Sequence, residues 1–302
     1  YGTRRVIAWS TIIKLLPCIG LGLAVMDPST PFWVFIVLAL LTGFGGGDFS
    51  SFMPSTSLFF PKRLQGTALG IQAGIGNFGV SLTQFVTPWI ITVASLAAVT
   101  GSSQTFTKGA VTKPIWLQNA VFWYIPFLII MAIAAGFWLK SVPVKTSFKD
   151  QLDIFKEKHT WLMTVLYMMT FGSFSGFAAA FPLMIKTIYG SFPGAPDALQ
   201  YAFYGPLIGS LVRVIGGPLS DKSARAGAII TAISAGGLIV CGIAVIPYLN
   251  PSSLDQFPGF VKIMLAIFFF AGIGNASTFR QIPVIFSANP RQGAGVLGWT
   301  AA

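Results

Sequence analysis

Eight long apolar stretches constrain this chain more than any other feature. A helix needs about 20 mostly apolar residues to cross the hydrocarbon core of a bilayer, where no water can satisfy an open backbone. Residues 6–26, 32–60, 68–97, 116–139, 161–185, 198–219, 228–248 and 261–287 meet that length, and a ninth stretch begins near Gly293. With 54% hydrophobic and only 9% charged residues, too few charges remain to cover a water-facing surface. The 28 Phe and 8 Trp suit lipid-facing and interfacial positions. The expected fold class is an all-α polytopic membrane protein, with the lipid bilayer as its first partner.

The net charge of +11 invites a nucleic-acid reading, but the basic residues fall between apolar stretches rather than on one amphipathic face. The spans define alternating loops. One set carries Arg4, Arg5, Lys62, Arg63, Lys140, Lys145, Lys149, Lys156, Lys158, Lys222, Arg225 and Arg291; the other carries only Lys108, Lys113, Lys186 and Lys262. The positive-inside rule then places residue 1 on the cytoplasmic side of a cell membrane. It also accounts for most of the basic excess, so no nucleic-acid partner is expected. Cys18 and Cys241 lie inside apolar stretches and read as small buried hydrophobes.

Residues 140–160 form the longest polar stretch and read as a cytoplasmic linker between an N-terminal half, 1–139, and a C-terminal half, 161–302. The halves repeat. Thr42–Pro54 reads TGFGGGDFSSFMP and Ala271–Pro283 reads AGIGNASTFRQIP, so that Gly43, Gly45 and Pro54 match Gly272, Gly274 and Pro283. Arg63, Leu69 and Gly70 then match Arg291, Leu297 and Gly298. Duplicated halves with Gly/Pro-interrupted spans in corresponding places are a transporter signature, and those spans point toward the binding site. The repeat implies two spans before Tyr1 and two at or beyond Ala302, twelve in all; both ends read as cut, and the chain is expected to be an interior piece of a longer protein.

Twelve spans in two pseudo-symmetric halves is the plan of the major facilitator superfamily. The loop Gly217-Pro-Leu-Ser-Asp221-Lys222-Ser-Ala-Arg225 resembles the superfamily's loop between the second and third helices of each half, and Gly2 with Arg4-Arg5 resembles its tail. Such a loop lets Asp221 meet a helix N-terminus or a base, so Asp221 and Arg225 are candidates for a conformational latch. The stretch 43–80, GFGGGDFSSFMPSTSLFFPKRLQGTALGIQAGIGNFGV, together with 271–286, AGIGNASTFRQIPVIF, resembles the Gly-rich helices of the nitrate/nitrite porters. The similarity runs on through Tyr167, Phe171 and the helix of Arg213, and so covers most of the chain.

That resemblance implies secondary transport of nitrate and nitrite by a monomeric carrier. Arg213, about six residues before the cytoplasmic end of its span, is implied to bind the anion with a second arginine from a helix outside this sequence. Physically, an ionised Arg at depth faces an interior cavity, and its planar fork of donors suits a planar oxyanion. Tyr167 and Phe171 share a helix face and, with Phe49, are implied to wall the anion; Asn77 and Asn275 are implied to offer amides to it, with structural interhelical hydrogen bonding the alternative for Asn77. Snorkelling or pairing with Asp48 is the alternative for Arg213, and packing is the alternative for the aromatic pair.

Asp48 stands where the family usually carries Asn, and it is the only acidic residue within an expected span. It is a candidate proton carrier, or a neutraliser of Arg213. Lys14 is expected to snorkel and Arg280 to extend the positive field of the pathway. Gly66, Gly70 and Gly74 make a stripe of small residues that allows close helix packing. An enzyme fits poorly, because His159 is the sole histidine and lies in the linker, and no HExxH or paired Cys ligands occur in the spans. No cofactor or metal is expected. Transport of another small inorganic or organic anion is the alternative function, and nitrate/nitrite exchange and proton-coupled uptake both suit this architecture.

Overall fold

The computed structural model describes residues 2–108, 111–141 and 151–302. Its elements run α1 (Thr3–Ile13), α2 (Leu15–Met26), α3 (Phe32–Thr42), α4 (Phe44–Phe59), α5 (Gln65–Ile90), α6 (Ala97–Thr100), β1 (Gln104–Lys108), β2 (Val111–Ile115), α7 (Asn119–Phe122) and α8 (Tyr124–Trp138). There follow α9 (Lys158–Tyr167), α10 (Ser173–Met184), α11 (Ala198–Ala202), α12 (Tyr204–Asp221), α13 (Ala226–Val245), α14 (Phe257–Ile285) and α15 (Pro290–Thr300). Among the described residues seven helices are long and apolar enough to cross a membrane, and an eighth is bent by 87° between Ile90 and Ala94.

The chain forms two compact units. One comprises Tyr1–Ser55, Val86–Lys145 and Ala302; the other comprises Thr56–Phe85 and Thr146–Ala301. In the first unit the opening span is broken at Lys14, and the cause is local. Pro17 supplies no N–H and its ring crowds the carbonyl of Ile13 four residues back, so α1 ends there and α2 restarts. Lys14, expected to snorkel, instead ion-pairs with Asp48 of α4. Asp48 is 4% exposed, and a buried carboxylate of this kind needs a partner.

Two sequence expectations are corrected here. The third span was expected to run to Ala97, but α5 stops at Ile90, two residues after Pro88, and the chain bends before α6. A two-stranded antiparallel hairpin then follows, with Thr107 opposite Thr112, where the sequence reading placed only a loop. Its base is fixed by Gln118, whose Nε2 donates to the carbonyls of Thr100 and Ser102 at 3.2 and 3.0 Å.

The second unit is built on α12, α13 and α14. Its apolar core gathers Phe174, Phe181, Ile185 and Tyr189 against Phe260, Met264, Ile267 and Phe268. Residues 158–189 make one span in which α9 and α10 are joined by a π turn, Met168–Gly172, and a second π turn, Ile185–Tyr189, closes it. Pro182 frees the carbonyl of Ala178 in this span, and Gln84 of α5 donates its Nε2 to that carbonyl at 2.7 Å. Gln65 does the same for Ser57, four residues before Pro61, at 2.7 Å.

Of the expected linker, residues 142–150 with Lys145 and Lys149 lie outside the described residues. Beyond them a 3-10 turn, Leu152–Lys156, lies against α15, with Phe155 edge-on to Trp299 at 4.7 Å and Asp153 paired to Arg291 at 2.8 Å. Lys158 to Thr160 already belong to α9, so the helix begins earlier than its apolar run.

Candidate functional site

Helix α12 is held from two sides by glycine contacts. A Cβ added to Gly70 of α5 would lie 2.8 Å from the carbonyl oxygen of Arg213, and one on Gly74 would lie 2.7 Å from that of Ser210. On the other side a Cβ on Gly272 of α14 would run into the backbone of Gly209, and one on Gly216 would lie 3.1 Å from Ala276. Small residues at this spacing let backbones touch, as the Gly66/Gly70/Gly74 stripe leads one to expect. The consequence is that the backbone of Arg213 has little room to move.

The Arg213 side chain is fully buried, which rules out snorkelling. Its Nε, Nη1 and Nη2 have no hydrogen-bond partner among the described residues, and no carboxylate pairs with it there. Instead its guanidinium lies over aromatic faces, 4.1 Å from the ring centroid of Phe174 and 5.7 Å from that of Phe171. Tyr167 and Phe171 stack at 5.1 Å with planes 14° apart, and Tyr167 also meets Phe279 at 5.2 Å. The Tyr167 hydroxyl and the Ser210 hydroxyl are likewise buried without partners among the described residues.

Desolvating a cation costs several kcal/mol even after relaxation, whereas a desolvated cation–π contact returns only about 2 kcal/mol. The cation is therefore undercompensated by its own surroundings, and its donor fork is free to take an anion edge-on. Asn275 is buried in α14 and donates to Thr170 Oγ1 at 3.4 Å, which brings it to the π turn that carries Phe171. Such π turns are common at functional sites.

Other expected residues have different settings. Asn77 donates its amide to the Ala73 carbonyl of its own helix at 2.8 Å. Asp48 and Phe49 belong to the first unit, where Lys14 and not Arg213 is the ion-pair partner recorded for Asp48. Asp221 accepts from the N–H groups of Gly66 and Thr67 at 3.0 and 2.6 Å and from the Thr67 hydroxyl at 2.8 Å, at the start of α5. Its base is Arg280, at 2.5 Å, while Arg225 is exposed. Arg280 thus has its charge met locally, contrary to its expected contribution to a positive field. Phe174, Ser210 and Thr170 were missed by the sequence reading; Phe174 lies seven residues after Tyr167, a spacing that marks the same face.

Membrane-length helices, a duplicated Gly-rich signature and a buried cation without a partner among the described residues together define a polytopic membrane protein. The family model of the Major Facilitator Superfamily matches residues 1–301. The chain is 59% identical over 302 residues to a protein of Thermus thermophilus named probable nitrate/nitrite antiporter NarK2, covering 100% of this chain and 67% of that one. It is 40% identical over 287 residues to the nitrate/nitrite transporter NarU of Escherichia coli and 39% identical over 289 residues to NarU of Salmonella typhimurium. Each of these two alignments covers 95% of this chain and 60% of the relative, so the chain spans less than two thirds of their length. The chain belongs to the NarK-like porters of the major facilitator superfamily and is a multi-pass membrane protein.

Proposed function

We propose that this protein is a secondary transporter of nitrate and nitrite, working by alternating access, with Arg213 as an anion-binding residue. The observation that carries the reading is the fully buried Arg213 guanidinium, whose three nitrogens are without hydrogen-bond partners among the described residues. A planar oxyanion supplies the missing charge and takes two parallel N–H donors. Tyr167 and Phe171 wall it and Asn275 and Asn77 offer amides, while the family resemblance alone supports Phe49 as a further wall residue. The names borne by the relatives at 59% and 40% identity support nitrate and nitrite as the substrates.

The two halves, 1–139 and 161–302, rock about this site, and Asp221 at the N-terminus of α5 is the latch of one conformation. The charge of the loops supports a cell-membrane carrier with residue 1 on the cytoplasmic side, and the family supports action as a monomer and not as an enzyme. Exchange is favoured over proton symport by the name of the relative at 59% identity, a probable nitrate/nitrite antiporter.

The full-length protein in nitrite-loaded proteoliposomes tests this reading through entry of labelled nitrate. Entry that requires internal nitrite and is lost in Arg213→Lys is the expected result. Entry driven by a proton gradient without nitrite would overturn the exchange assignment and return Asp48 to the mechanism. Absence of nitrate entry with uptake of another anion would overturn the substrate.

A further inference from the structure

Phe174 touches Arg213, the cation of this chain on which the proposed mechanism depends, and this inference rests on that reading of Arg213. The ring of Phe174 lies closer to the guanidinium than the ring of Phe171 does, 4.1 against 5.7 Å. It is 1% exposed and held on two sides, edge-on to Phe268 at 6.0 Å and roughly parallel to Phe171 at 6.1 Å. Gly209, one helical turn before Arg213, makes its place: a Cβ there would meet the Phe174 ring at 2.8 and 2.9 Å. Two residues of α12, Gly209 and Arg213, thus both border the Phe174 ring.

An aromatic face attracts a cation through its quadrupole, and the attraction grows as water is excluded. Guanidinium groups stack on aromatic faces, and stacking leaves the N–H edge free, so ring and anion need not compete for donors. We infer that Phe174 is a positioning residue that serves as a weak resident counter-charge for Arg213, holding the guanidinium plane through the part of the cycle in which no anion is bound. A carboxylate in this place would compete with the substrate for the same donors. The ring stabilises the anion-free form more than the anion-bound form, where the charge is already met, and so moderates affinity and permits release.

This sign makes the inference testable without changing shape. Incorporating mono-, di- and trifluorinated phenylalanine at position 174 drains the ring face in steps while keeping its bulk. Nitrate affinity should rise along the series, to roughly fivefold at trifluorophenylalanine, and the maximal exchange rate should fall in parallel. A side chain that only fills space would leave both quantities unchanged along the series. A flat series, or one in which affinity weakens, overturns the inference. Arg213→Lys in the same assay separates the two claims. If it leaves nitrate affinity intact, the site itself is wrong; if it abolishes affinity while the series is flat, only the role of Phe174 is.

Discussion

Replacing Asp221 with Asn should be far more damaging than its conservative size suggests. The carboxylate accepts three hydrogen bonds from Gly66 and Thr67 at the start of the 26-residue α5 and pairs with Arg280, with both charged side chains near 10% exposed. Asn keeps one acceptor oxygen and turns an NH2 toward donors, leaving Arg280 buried without its charge partner. Stranding one member of a buried ion pair costs about 3–5 kcal/mol. At roughly 2 °C per kcal/mol for a chain of this size, the melting temperature in detergent should fall by about 6–10 °C. Arg280→Met alone should be milder, because Asp221 keeps its backbone donors and the positive end of the helix dipole. The double variant should therefore be well short of additive, by about 2 kcal/mol or more. Strictly additive effects, or a loss under about 1 kcal/mol for Asp221→Asn, would refute the coupling described here.

Further expectations follow from the same contacts. Gly70→Ala should weaken nitrate binding by pressing on the Arg213 carbonyl, whereas Gly76→Ala on the same helix, with nothing within 4 Å, should be silent in a binding titration. Gln84→Leu should lower stability by about 1–3 kcal/mol, read by thermal melting, because the Ala178 carbonyl freed by Pro182 loses its donor. Lys14→Met should destabilise the first unit by stranding Asp48, and adding Asp48→Asn should recover most of that loss in the same assay.

The spans were legible because the bilayer imposes a length on any helix that crosses it, and the Gly66/Gly70/Gly74 stripe because close packing imposes a period. Arg213 was legible because a cation at depth needs a reason. The partners of charged groups were not legible. Lys14 and Asp48 lie in separate spans, and nothing in either span states which faces meet. Arg280 reads as free charge until α12 brings Asp221 beside it. Phe174 looked like one of many phenylalanines, since its role depends on Gly209 being small across a helix contact. The hairpin at Gln104–Ile115 escaped notice because a search for apolar length passes over short alternating segments.

Direct titration of nitrate into the full-length protein and its Arg213→Lys variant, both shown to be folded by thermal melting, tests the central claim. Saturable binding that weakens about tenfold or more in the variant is predicted, because a lysine point charge cannot reproduce a bidentate fork. Equal affinity in the two proteins would contradict the assignment of Arg213 as the anion site.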